Sequence, residues 1–131
     1  MIRNLYQLIE QYPEKLNISQ LQSINQEMLD EIKKLLSKVT LDEINQYFDK
    51  LSLFWKDPSD IKILEGFKVH LWELNDRLFH GDKLDSLNEI VLRMLIITTY
   101  VITDKEFIEQ SIDFFFFLYE KYSQYTLNTI L

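Results

Sequence analysis

The chain has 131 residues, 47% of them hydrophobic and 27% charged, which suits one folded domain and excludes a disordered or fibrous chain. It contains no cysteine, two glycines and two prolines, so disulfide scaffolds, thiolate metal sites and turn-rich β-sandwiches or barrels are excluded. A net charge of −7 argues against a nucleic-acid binder.

Apolar residues recur at three- and four-residue steps along the chain, the signature of amphipathic helices. Ile2, Leu5, Leu8, Ile9 and Tyr12 mark a first helix, stopped near Pro13. Leu21, Ile24, Met28, Ile32 and Leu35 mark a second, with Ser19/Gln22 as its capping box. Ile44, Phe48, Leu51 and Trp55 mark a third behind a box at Thr40/Glu43. A fourth is expected to start at Asp57-Pro58, to carry Ile61, Leu64, Leu71, Leu74 and Leu78, and to close at Gly81. The fifth, about 87 to 102, follows a box at Ser86/Glu89 and is apolar nearly all round, which marks it as the central buried helix. The sixth follows Thr103/Glu106 and runs from about 104 to 122, with a fraying polar tail.

These elements define an all-α fold, a six-helix bundle or compact helical array forming a single domain over 1–131. The expected core centres on Val91, Met94, Leu95 and Ile97, with Phe107 and Phe114 against it. At an offset of 63, Ser23/Ser86, Asn25/Asn88, Leu29/Leu92, Thr40/Thr103 and Glu43/Glu106 coincide. Such matches arise from an internal repeat, 1–56 and 57–122, forming two three-helix units, or from capping boxes and helical periodicity alone.

The N-terminus is amphipathic and lacks a signal-peptide pattern, so a cytoplasmic address is expected. Ile90 to Ile102 contains Arg93 and is too short for a membrane span. Arg93, if buried, calls for a carboxylate partner. His70 and His80 lie ten residues apart, and His70 with Glu73 or Asp76 reads as an ordinary polar helix face. No metal site, cofactor fingerprint or catalytic constellation stands out, and the chain reads as a non-enzyme.

Charge is uneven along the chain. Residues 1–56 carry a net −1 and residues 57–131 a net −6. Glu73 and Asp76 share the polar face of the fourth helix, while Glu109, Asp113 and Glu120 form a stripe on the sixth. With Trp72 and Phe116 as aromatic anchors, these residues form the expected surface for a basic protein partner. A solvated face that keeps the protein soluble would show the same residues.

In general character the chain resembles the small, acidic, all-helical immunity proteins that neutralise bacterial toxins, including those of contact-dependent inhibition systems. The resemblance rests on size, acidity, absent catalytic groups and aromatic-rich helices, not on a motif. It implies occlusion of a basic toxin domain by charge complementarity, without nucleic acid, membrane or cofactor. Two other classes fit the same residues: a helical adaptor or oligomerisation module that self-associates, and a small-ligand-binding protein or enzyme with a pocket between helices.

Overall fold

The computed structural model describes residues 3–58, 60–79, 84 and 86–130, with side chains from 4 to 126. Six α-helices account for most of these: α1 (Arg3–Glu10), α2 (Ile18–Lys33), α3 (Asp42–Lys56), α4 (Lys62–Leu78), α5 (Leu87–Ile97) and α6 (Lys105–Ile130). A 3₁₀ turn, Leu36–Lys38, links α2 to α3. The described residues contain no strand, only an isolated bridge between Lys15 and Asp104. The fold is the all-α array that helical periodicity predicts. No helix among the described residues is long and apolar enough to cross a membrane.

Helix α5 packs against α2, α3, α4 and α6, while α1 lies on α2 and α6. Buried side chains from all six helices form one cluster. Val91, Met94 and Leu95 are fully buried at its centre, as expected, and Ile97 is half-buried. Phe107 and Phe114 are not core residues. They are 52% and 38% exposed, and Ile108, Ile112, Phe115 and Leu118 face inward instead. The inward seam of α6 thus lies one residue further along than the pattern suggested.

Several helix ends differ from expectation, each for a visible reason. Asn17 rather than Ser19 caps α2, in a reciprocal box with Gln20. This frees Gln22 to reach, with Gln26, the last carbonyls of α3 at Trp55 and Lys56. Those carbonyls have no partner within their own helix, so the two glutamines close the end of α3. Thr40 does not cap α3. Its amide and hydroxyl bond to Asn88 at the start of α5 instead. Asp57 ends α3, and Asp60 accepts from the Lys62 amide where α4 begins, so Asp57-Pro58 is no helix start. Ser86 caps α5 as expected, accepting from the Glu89 amide. Gly81 and His80 lie outside the described residues, and α4 already ends at Leu78.

Helix α5 stops at Ile97, short of 102, where the Thr98 and Thr99 hydroxyls fold back onto the Leu95 and Ile96 carbonyls. At the other end, α6 continues to Ile130 rather than fraying at Tyr122. Tyr122 is buried and its hydroxyl donates to the Leu35 carbonyl, pinning this stretch to the end of α2.

Helix α1 is held to α6 by the Tyr6 hydroxyl, which donates to Asp113 at 2.6 Å. Burial, reinforced by this bond and the Asp113 charge, pushes the Tyr6 hydroxyl up to about 12 from 10.0. The folded chain holds this proton longer than the unfolded chain does. Its stabilisation is therefore intact below pH 10 and is lost as pH rises toward 12. Urea unfolding across this window is expected to show declining stability, with a shallower decline in Tyr6→Phe.

Gly66 sits inside α4 with open space where a Cβ would be. Nothing around it requires glycine. Gly66→Ala is expected to stabilise the protein by about 0.5–1 kcal/mol, read as a higher urea midpoint with an unchanged slope.

Candidate partner-binding surface

The surface is framed by the link between α5 and α6. The two threonines that end α5 release the chain at Tyr100, and Trp55 donates its indole N–H to the Thr98 carbonyl at 2.9 Å. Further on, the link is clasped to the loop between α1 and α2. Leu16 N–H donates to Thr103 O at 2.7 Å, Lys105 N–H donates to Glu14 O at 2.8 Å, and Lys15 pairs with Asp104.

Above this clasp lies an open cleft of about 570 Å³. Trp72 from α4, Arg93 and Ile97 from α5, and Phe107 and Phe114 from α6 form its walls, with Tyr100–Thr103 along one side. Its aromatic groups are fixed in place. The Trp72 indole donates to the Tyr100 hydroxyl at 2.9 Å. The Arg93 guanidinium lies 4.8 Å from the Trp72 ring centre, and Lys68 lies 4.9 Å from that of Tyr100. Each of these two rings thus already has a cation against it. The rim leaves Tyr100, Val101, Phe107 and Phe114 exposed, and Phe114 stacks on the exposed Phe117 at 6.1 Å. Clustered exposure of this kind, unlike scattered apolar residues, marks interaction surfaces.

A second groove, about 530 Å³, shares Asp104 and Phe107 with the first and has a different character. Glu14, Glu106 and Glu109 line it together with Lys15 and Lys105. Lys15 is paired with Asp104, and the Lys105 ammonium donates to the Tyr12 carbonyl at 3.0 Å. Glu14, Glu106 and Glu109 form no ion pair with any described residue. Glu109 also borders a smaller groove with Tyr6, Glu10 and Asp113, which extends the carboxylate margin between α1 and α6.

The residues expected from sequence do not share one surface. Glu109 and Asp113 lie on this margin, and Glu120 is exposed further along α6. Phe116 is half-buried and packs edge-on against Tyr6, 6.4 Å between ring centres. Trp72 forms a wall of the aromatic cleft. Glu73 lies apart, in a small groove between α3 and α4 with Glu43, Tyr47, His70 and Arg77. There the Tyr47 hydroxyl is 2.9 Å from His70 Nδ1 and is pushed up by burial and by the Glu43 and Glu73 carboxylates. Asp76 is exposed and accepts weakly from Asn75 at 3.4 Å. Because α5 packs between α4 and α6, the acids of those two helices do not form one continuous face.

Sequence reasoning missed Tyr100, Phe107, Phe114, Glu14 and Glu106 as surface residues. The available signal was a surplus. Helix α6 carries two aromatic stripes, and one helix can turn only one of them into a core. Among the described residues, no group of three or more His, Asp or Glu side chains is arranged to hold a metal. No protein-family model, curated protein or solved structure matches this chain.

Proposed function

We propose that this chain is a binding protein that captures and neutralises a basic protein, in the manner of a cytoplasmic immunity protein occluding a toxin domain. The observation that carries this reading is the uncovered aromatic rim of the cleft at Tyr100, Phe107 and Phe114. Interface energy concentrates in a few such residues, and they govern how slowly a complex dissociates. The net charge of −7 and the carboxylates beside Phe107 supply a field that speeds the approach of a basic partner and disfavours others. The reading assigns the protein no reaction of its own.

A helical adaptor that self-associates is the second reading. It is favoured by the stacked, exposed pair Phe114 and Phe117 on the outer side of α6. A mass that rises with concentration would support it.

The test is affinity capture from the native host with the wild-type chain and a Phe107→Ser/Phe114→Ser double variant. One strongly retained basic protein, lost from the double variant, is expected. With that partner purified, Glu109→Lys/Glu120→Lys should slow association at low salt, and the difference should shrink as salt rises. Asp113 is left unchanged because it holds Tyr6. Association that ignores both salt and the charge reversal would sink the steering argument.

A further inference from the structure

We infer that the aromatic cleft and the carboxylate groove act as one trough for a linear segment of the partner. An apolar or aromatic side chain sits in the first half, and a lysine or arginine follows in the second. The inference rests on the partner-binding reading above and names the chemistry that this surface would recognise.

Continuity is the first support. Asp104 and Phe107 line both halves, so an occupant passes from one to the other over the Phe107 ring. Polarity is the second. In the aromatic half the Trp72 and Tyr100 rings already hold cations of the protein itself, Arg93 and the Glu65-paired Lys68, so a partner's cation would have to compete for those rings. In the carboxylate half both lysines are engaged within the protein, at Asp104 and at the Tyr12 carbonyl. Glu14, Glu106 and Glu109 make no ion pair with described residues, and together with Asp104 they outnumber the two lysines, so a basic side chain of the partner meets a net negative field. The two ends therefore select different side chains, and they orient the segment.

The backbone beside the cleft is the third support. Val101 and Ile102 are neither helical nor bonded to another main-chain group. Main-chain amides and carbonyls at the edge of a groove suit a peptide, which brings its own amides and carbonyls, better than a small apolar molecule. The aromatic half also falls within the roughly 300–1,000 Å³ of typical ligand sites, enough for one large side chain and its flanking backbone.

The protein carries its own reporter. Trp72 is half-buried in the cleft wall, whereas Trp55 is fully buried in the core. The 131-residue chain is titrated with acetylated, amidated tetrapeptides while tryptophan emission is followed, and Trp72→Phe identifies the signal. Phe-Ser-Lys-Lys is expected to bind at least tenfold more tightly than Phe-Ser-Ser-Ser or Ser-Ser-Lys-Lys, with the advantage shrinking as salt is added. Glu106→Gln/Glu109→Gln should erase the gain due to the lysines and leave Phe-Ser-Ser-Ser unchanged, with circular dichroism confirming the fold.

Equal affinity for Phe-Ser-Lys-Lys and Phe-Ser-Ser-Ser overturns the trough. Tighter binding of 3-phenylpropionate also overturns it, because Arg93 would then govern the cleft as a carboxylate site. If no probe binds, yet the captured partner is still lost with Phe107→Ser, the linear segment is wrong while the partner reading stands. If the wild-type chain captures no basic protein, that reading itself fails.

Discussion

Trp55→Ala is expected to destabilise the protein by about 3–5 kcal/mol, a large fraction of the ~5–15 kcal/mol that holds a domain of this size folded. Trp55 is the largest fully buried side chain and lies near the C-terminal end of α3. Its indole N–H donates to the Thr98 carbonyl just past the end of α5, and its ring meets Phe54 edge-on at 5.0 Å. The same residue's carbonyl accepts from Gln22 and Gln26 of α2. One residue thus joins three helices, and alanine keeps only the backbone part of that junction. Trp55→Phe separates packing from hydrogen bonding. It retains most of the buried ring but leaves the Thr98 carbonyl without its donor, for an expected cost of ~1–3 kcal/mol. Urea unfolding should give midpoints in the order wild type, Phe, Ala, with similar slopes. A loss below about 1 kcal/mol for alanine would show that the site collapses around the deletion and that the junction is not rigid.

The run of four phenylalanines, 114–117, offers the second large effect, because one helix turn presents four identical side chains to three environments. Phe115 is fully buried, Phe116 rests half-buried on Tyr6, and Phe114 and Phe117 stack on each other at the surface. Phe115→Ala is expected to cost ~3–5 kcal/mol, while Phe117→Ala and Phe114→Ala should each stay under ~1 kcal/mol. Phe116→Ala should fall between them. A series in which Phe114 costs more than Phe115 would place α6 in the other register and move the aromatic cleft with it.

That register is where the sequence was least readable. Periodicity located all six helices, since each apolar stripe is long enough to point one way. In α6, however, Phe107 and Phe114 compete with Ile108 and Phe115 for the core, and a sequence pattern alone cannot rank two apolar stripes on one helix. The starts read at Ser19 and Thr40 failed for a related reason, while Ser86 caps α5 as read. Thr40 has a local capping partner three residues on, but Asn88, distant in sequence, offers it two hydrogen bonds and wins. Asn17 outcompetes Ser19 two residues earlier because its box with Gln20 satisfies both amides. The carboxylate margin was half legible. Glu109 and Asp113 follow from spacing along one helix, but Glu14 joins them only through the fold. The grouping of Glu73 with the α6 acids failed because sequence carries no information on what packs between two helices.

The clasp between the loop at 14–16 and the segment 103–105 has a consequence for the order of folding. Its central pair, Lys15 and Asp104, is 89 residues apart in the chain. Joining points so distant costs on the order of 4 kcal/mol in chain entropy, and a few exposed polar contacts cannot offset this. The clasp therefore forms only after the helices between have condensed and brought its two sides together. During synthesis, a growing chain holds α1 to α5 before residues 104–109 have emerged, so it presents neither half of the trough. The two grooves on either side of Phe107 are thus among the last features of the fold to assemble, and a nascent or partly unfolded chain lacks both.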